Sequence, residues 1–531
     1  MASNVTSHLA IDALTVRNGR VFGWGWFLDT DALVATAALE LPLLDGGVAS
    51  IACVEGATRA DVAAVFPDVA HAGNAGFMLM GSLAGTVDFG GSARFVARLR
   101  DGRMHEFAIP VTSLPLQDRP GRGLRGIPAR LREIGLAAAA RAVGRRAQAS
   151  VRGMAESVAF YLAGWIGTPL TVVFDHALGG GANAFRDARI ESLLAEGRAV
   201  LRVSPDVARL DYVLSLMRPG RRTRERRAPT VERLLHELSR FRIATIEVNN
   251  LVSFDDPLAI VRWCVDRRAA GGELVFYLHD FHSVCPAFTL IDADGRYCGV
   301  PAPDACRACL PRNAANLLGF PAPPDNRAWR EGWADLLTAA DRIVAFSQVS
   351  VDILSRAYPE RSHLFRVELR PHRPDLSHLR PVRRVASNVV TVGVIGNISR
   401  AKGSDVVHAL AALVEARQLP MRIVVFGTLQ SNAAASRALH VHGAFVPHDL
   451  PELLERYGVD VCLMPSVCPE TYSFVTDEIM AMEMPLVVFG IGAPAERVAR
   501  YTLGAVTTDI TAEAALADIM RLAERATIPF A

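Results

Sequence analysis

Lysine is nearly missing from this chain of 531 residues: of its 57 basic side chains only Lys402 is a lysine, and every other one is an arginine. The plain reading of the loss is codon bias from a GC-rich genome. It also makes the survivor informative, because a compact ammonium on a flexible stem does work that a planar guanidinium fork does not. Cysteine is sparse too, with eight in the chain, too few for a disulfide-stapled secreted scaffold. Long apolar runs are absent. Stretches such as LTVVF and RIVVFG have the length of strands, far short of the ~20 residues that cross a bilayer, so membrane contact is limited to the periphery. The start MASNVTSHLAIDALTV lacks the basic region and unbroken apolar stretch of a signal peptide, and a cytoplasmic location is expected. Nor is there an excess of either charge. A net charge of +2 with 21% charged residues argues against a chain-wide basic surface for nucleic acid and against wholesale disorder.

What is present is enough apolar material, 50% of residues, to fill two or three cores, since one core stops growing near ~250 to 300 residues. Residues 1–115 alternate apolar and polar over short segments broken by Gly and Asp, such as RVFGWGWFL and ARFVARL. Such alternation predicts an all-β, sandwich-like module. Trp24 and Trp26 share one face of a strand there, either as core packing or as a sugar-stacking platform. Residues 116–165 follow as an arginine-rich linker. Its stretch LQDRPGRGLRGIPARLREIGLAAAARAVGRRAQASVRG sets nine arginines against two acids; the latter part is read as a basic helix, lying between domains or resting on anionic lipid at the inner membrane.

Strands and helices then alternate in two series, 166–383 and 384–531, divided at the Pro/Arg-rich LRPHRPDLSHLRPVRR. The fold class is therefore α/β, two Rossmann-like domains in succession after the β module. Ligand crevices of such domains lie at the carboxyl ends of the strands, where the two would face each other across a cleft.

The candidate residues fall at those ends. In the second series VVTVGVIG runs into GNISRAKGSD, placing Gly396, Arg400, Lys402 and Gly403 before a helix. Small residues and a helix N-terminus suit an anion, and an ammonium beside a guanidinium suits a diphosphate. After DVCLMP comes PETYSFVTDEIMAMEMPLVVF, with Glu470 in the loop and Glu478 on the following helix. A carboxylate there can accept from the two hydroxyls of a ribose. In the first series FDHALGGGANAF brings Gly179, Gly180 and Gly181 to a helix start, where backbone can approach a ligand closely. YLHDFHSVCP ends a strand with His279, facing the cleft or serving structure. Beyond it Cys285, Cys298, Cys306 and Cys309 lie within 25 residues and close on Cys-Arg-Ala-Cys. That spacing lets two sulfurs meet one tetrahedral ion and points to structural zinc, with reduced thiols or a disulfide as alternatives. Four cysteines leave no open position, so no catalytic metal is expected.

GNISRAKGSD and PETYSFVTDEIMAMEMPLVVF together resemble the retaining glycosyltransferases of family four, which have the GT-B fold, over residues 168–531. The resemblance implies a nucleotide-sugar-dependent hexosyltransferase of bacterial polysaccharide biosynthesis. Its acceptor would be a surface glycan or a lipid-linked oligosaccharide. It also implies that Arg400 and Lys402 contact the donor diphosphate, Glu478 the ribose, and Glu470 and His279 the transferred sugar, with Gly180, Gly181 and Gly396 lining the donor. Transfer in that family proceeds on one face of the sugar, the leaving phosphate helping to deprotonate the acceptor, so no enzyme base is required. Arg400 and Lys402 stand only two apart, closer than in many members. The alternative is an inactive sugar-binding scaffold of the same fold.

Overall fold

A computed structural model describes residues 6–116, 160–161, 169–176, 179–313, 325–384, 387–430 and 436–526. The arginine-rich linker, with its expected helix and membrane contact, lies almost wholly outside them. Seven strands open the chain: β1 (Ser7–Arg17), β2 (Arg20–Asp29), β3 (Val34–Pro42), β4 (Val48–Ala57), β5 (Gly76–Ser82), β6 (Ser92–Leu99) and β7 (Met104–Pro110). They form one antiparallel sheet in the order 1-2-5-4-3-6-7. Leu14, Val21, Phe77 and Phe95 from distant strands of that order share one core, so the sheet curls around its own apolar face. Trp24 and Trp26 are half-buried and part company. Trp24 packs on Phe22, Met80 and Leu210, whereas Trp26 packs near Leu28 and Val62.

The cluster around Trp24 crosses to the next sheet, and polar contacts surround it. Arg20, with 8% of its side chain exposed, pairs with Asp255 at 3.0 Å and donates to the Leu210 carbonyl at 2.6 Å. The Thr15 hydroxyl donates to the Ala208 carbonyl at 2.6 Å. The β module thus docks on the first α/β lobe through a buried guanidinium.

That lobe contains β8 (Leu170–Phe174), β9 (Ala199–Asp206), β10 (Asp211–Met217), β11 (Arg224–Ala228), β12 (Ile243–Val248), β13 (Glu273–Tyr277), β14 (Arg342–Ala345) and β15 (Val367–Leu369). The sheet order is 11-10-9-8-12-13-14-15. Six strands are parallel. YVLSLM, which belongs with the parallel series by its sequence pattern, instead pairs antiparallel with β9, since the four residues between them are too few for a crossover. Asp256 caps the crossover helix Pro257–Ala269 by accepting from Ala259 N at 2.9 Å, with Pro257 suited to its first turn.

The second lobe holds β16 (Val390–Ile398), β17 (Met421–Leu429), β18 (Leu439–Gly443), β19 (Val461–Met464), β20 (Leu486–Phe489) and β21 (Gly504–Thr507), all parallel. Strands β19 and β20 are buried along their whole length, as expected where helices cover both faces. The order 18-17-16-19-20-21 reads 3-2-1-4-5-6 in chain order, the Rossmann arrangement. Both α/β lobes are Rossmann-like, as the alternation predicts. Among the described residues no helix is long and apolar enough to cross a membrane.

Candidate functional site

In the second lobe the strand order reverses between β16 and β19, and a doubly wound sheet opens its crevice at that point. The loops leaving these two strands carry the residues singled out above. After β16 the chain turns at Arg400, with Gly403 N donating to the Arg400 carbonyl at 2.9 Å, and enters the helix Ser404–Ala416. Gly403 has φ +84°, and a Cβ there would stand 1.9 Å from the Pro465 carbonyl oxygen at the end of β19. Only glycine lets the two loops close on each other. Gly396 has φ +117°, and a Cβ there would meet only Val475 at 4.0 Å, so its requirement is conformational.

Lys402 Nζ lies 3.9 Å from Glu470 Oε2, with the lysine side chain 47% exposed and the carboxylate 11%. The sole lysine thus meets the first glutamate of the pair. Glu470 is held from behind: the Ser466 hydroxyl donates to Oε1, and Ala493 N donates to its carbonyl at 2.8 Å. Arg400 points its charge at exposed Asp405 at 3.6 Å, a weak surface pair, while its backbone N donates to Gln430 Oε1 at 3.1 Å. Gln430 Nε2 in turn donates to the Glu55 carbonyl of the β module at 3.2 Å, a link the sequence pattern gave no sign of.

Glu478 sits on the helix Phe474–Ala481, capped by Ser473, whose hydroxyl accepts from Thr476 N at 3.3 Å. Its carboxylate makes no hydrogen bond among the described residues. Burial raises its pKa, opposed by His378 and assisted by Asp477.

The first lobe answers across the cleft. Its strand order reverses between β8 and β12, and the loop after β8 holds the three glycines. Gly179 and Gly180 have positive φ, and Gly179 N donates to Asn183 Oδ1 at 2.6 Å. A Cβ on Gly181 would meet the Phe474 ring at 2.6 Å. The ring that begins the Glu478 helix therefore lies directly on the glycine loop, bringing Gly180 and Gly181 to the same cleft as Glu478.

His279, after β13, donates from Nε2 to Asn249 Oδ1 at 2.9 Å. The Asn249 amide is oriented by its own donation to the Ala182 carbonyl at 3.2 Å, so the ring carries its proton on Nε2 and leaves Nδ1 as an acceptor. Burial, with His372 and His176 nearby, holds its pKa well below the usual value, and the ring is neutral. It stacks on Phe346 at 4.6 Å. Its carbonyl accepts from Thr471 Oγ1 of the other lobe at 2.7 Å. A second crossing joins the Tyr472 hydroxyl to the His372 carbonyl at 3.0 Å. Thr471, Tyr472, Phe474, Asn249 and His372 were not singled out from sequence. His372 follows β15, too short at three residues to read as a strand, and so its stretch reads only as a domain break.

The four cysteines surround a small insertion after His279. Cys306 and Cys309 occupy one helical turn. Asn326 Nδ2 donates to Cys306 Sγ at 3.2 Å and Asn313 Nδ2 to Cys309 Sγ at 3.5 Å. Burial pushes the Cys285 thiol up to about 12, and Cys306, Cys298 and Cys309 are near enough to add to the rise. The donor set suits zinc. Among the described residues, however, no three His, Cys, Asp or Glu side chains already stand where one ion would meet them.

Residues 389–525 match the family model of glycosyl transferases group 1. The match spans nearly the whole second lobe, including the Arg400–Gly403 turn and both glutamates. No curated protein matches the chain. In structure the chain is similar to sucrose-phosphate synthase from Thermosynechococcus elongatus, at 17% identity and TM-score 0.43 over 68% of this chain and 93% of that one. It is similar as well to HepE of Anabaena in complex with UDP, at 16% and 0.41 over 68% and 91%. The catalytic domain of starch synthase IV from Arabidopsis thaliana bound to ADP and acarbose gives 10% and 0.42 over 68% and 93%.

Proposed function

We propose that the chain transfers a hexose or deoxyhexose from a nucleotide-sugar to a glycan or lipid-linked acceptor of a bacterial surface polysaccharide, with retention of anomeric configuration. The observation that carries this reading is the meeting of Lys402 with Glu470 at 3.9 Å beside a helix N-terminus, within the segment that matches the group 1 model. In this reading the diphosphate lies at the start of the helix Ser404–Ala416, where unpaired N–H groups and the helix dipole favour an anion. Lys402 and Arg400 balance its charge as the bond to the sugar breaks, and Gly396 gives the backbone room to approach. Glu478 accepts from the ribose hydroxyls. Glu470 faces the sugar, held by Ser466, and neutral His279 accepts from a sugar hydroxyl through Nδ1. The glycines Gly180 and Gly181 border phosphate and acceptor from the other lobe. The leaving phosphate takes the acceptor proton, which needs no base from the protein. Incubation with UDP-, GDP- and dTDP-sugars tests it: one donor should release nucleotide in the presence of a glycan acceptor and give a product with the donor's anomeric configuration by NMR. Tight nucleotide binding with no transfer to any acceptor would leave a sugar-binding scaffold instead.

Cys285, Cys298, Cys306 and Cys309 are proposed to hold one structural zinc ion, which would draw the sulfurs together and pin the insertion beside His279.

A further inference from the structure

On the face of the first sheet that carries the helix Gly181–Ala195, a cavity of about 630 Å³ borders β13 and β14, within the usual range for ligand sites. Its floor is apolar and aromatic: Tyr277, Val344 and Phe346, with Phe185 beside them, form a cluster separate from the main core of the lobe. Four arginines line it, Arg189, Arg342, Arg370 and Arg373, and no acidic side chain does. Three of them have carboxylate partners outside the lining. Arg189 pairs with Glu247 at 2.7 Å, Arg342 with Glu273 at 2.9 Å and Arg370 with Glu368 at 2.7 Å. Arg342 engages its partner through Nη2 and Arg370 through Nε, which leaves most of the N–H donors of both uncommitted. Arg373 makes no ion pair among the described residues. Phe474, the first residue of the Glu478 helix, closes the side toward the other lobe.

A neutral glycan can stack on aromatic rings but leaves the charge of the guanidiniums unmatched. A phosphate ester on an apolar chain matches the charge and the apolar lining, since guanidiniums take phosphate oxygens in pairs and the apolar side chains cover the chain. We propose that this cavity seats the acceptor of the reaction by a phosphate joined to an apolar chain. The inference rests on the glycosyltransferase reading, in that Phe474 joins the cavity to the donor loop.

Calorimetric titration of the full chain tests it with four probes below their micellar concentrations: decyl phosphate, decyl glucoside, inorganic phosphate and a glucuronate disaccharide. Decyl phosphate should bind at least tenfold more tightly than each of the others. The double variant Arg370→Gln/Arg373→Gln and, separately, Ala188→Trp, which fills the cavity from an exposed helix position, should each weaken it tenfold or more. Affinity for the nucleotide chosen by the donor screen should not change in either variant, which shows that both remain folded. Equal binding of decyl glucoside, tighter binding of the glucuronate, or undiminished decyl phosphate binding in both variants would overturn the inference. Nucleotide release from a donor sugar without decyl phosphate binding would do the same while leaving glycosyl transfer standing. The expected decyl phosphate pattern with no nucleotide binding would keep the cavity and remove the transferase.

Discussion

Replacing Lys402 by alanine removes an ammonium that stands 3.9 Å from Glu470 at the proposed diphosphate site. Bonds to charged groups contribute about 1.5 to 3 kcal/mol, so nucleotide affinity should fall ~10- to 100-fold. Lys402→Arg should weaken it as well, because a planar fork on a different stem does not place its charge where a compact ammonium does. Titration of the donor nucleotide checks both, and unchanged affinity in the two variants returns the lone lysine to codon chance. Glu478 gives a prediction in pH. Burial raises its pKa, so its carboxylate begins to protonate at a higher pH than an ordinary glutamate. Ribose binding needs the ionised form, which accepts from two hydroxyls. Nucleotide affinity should therefore fall as pH drops through that raised value, and Glu478→Gln should bind weakly with no such dependence. An identical pH profile in the two proteins would exclude Glu478 as the titrating group.

At the scale of elements, the turn between β16 and the helix Ser404–Ala416 depends on one glycine. Gly403→Ala forces a side chain into φ +84° and onto the Pro465 carbonyl, which should cost about 3 kcal/mol and weaken nucleotide binding by moving both loops. Denaturant unfolding and nucleotide titration read the two effects separately. The cysteine insertion is the second element with a test. Protein purified without added metal should carry about one zinc per chain and melt lower after chelation, because a metal that binds only the folded site adds to folding free energy. Elemental analysis showing no zinc, with all four thiols alkylated in the native state, would exclude it.

For the whole molecule, the β module is fastened to both lobes: to the first by Arg20, buried against Asp255, and to the second by Gln430 against the Glu55 carbonyl. Strand alternation ending before the linker suggests a module that can be deleted without effect on donor binding. The contacts argue otherwise, since deletion would leave Asp255 unpaired and Leu210 uncovered. Arg20→Ala should cost on the order of 3 kcal/mol at this junction, and limited proteolysis should then cut more readily between module and lobe. Loss of nucleotide affinity on deletion of residues 1–115 would follow from release of Gln430, which holds the Arg400 backbone.

The succession of a strand-rich module and two alternating series was legible because alternation and strand-length apolar runs are local properties. The placing of Lys402, Glu470 and Glu478 near strand ends was legible for the same reason. The hairpin of β9 and β10 was half legible: its strands are evident, but their direction depends on a four-residue connection. The aromatic stack of His279, Phe346 and His372, the seat of Phe474 on Gly181, the Gln430 link and the arginine-lined cavity joined residues up to 375 positions apart. No periodicity reports such distances. Local pattern determined which segments become strands and which loops can meet an anion. Only the tertiary structure decided which loops face each other, because the sheet order and the packing of the lobes set those pairs.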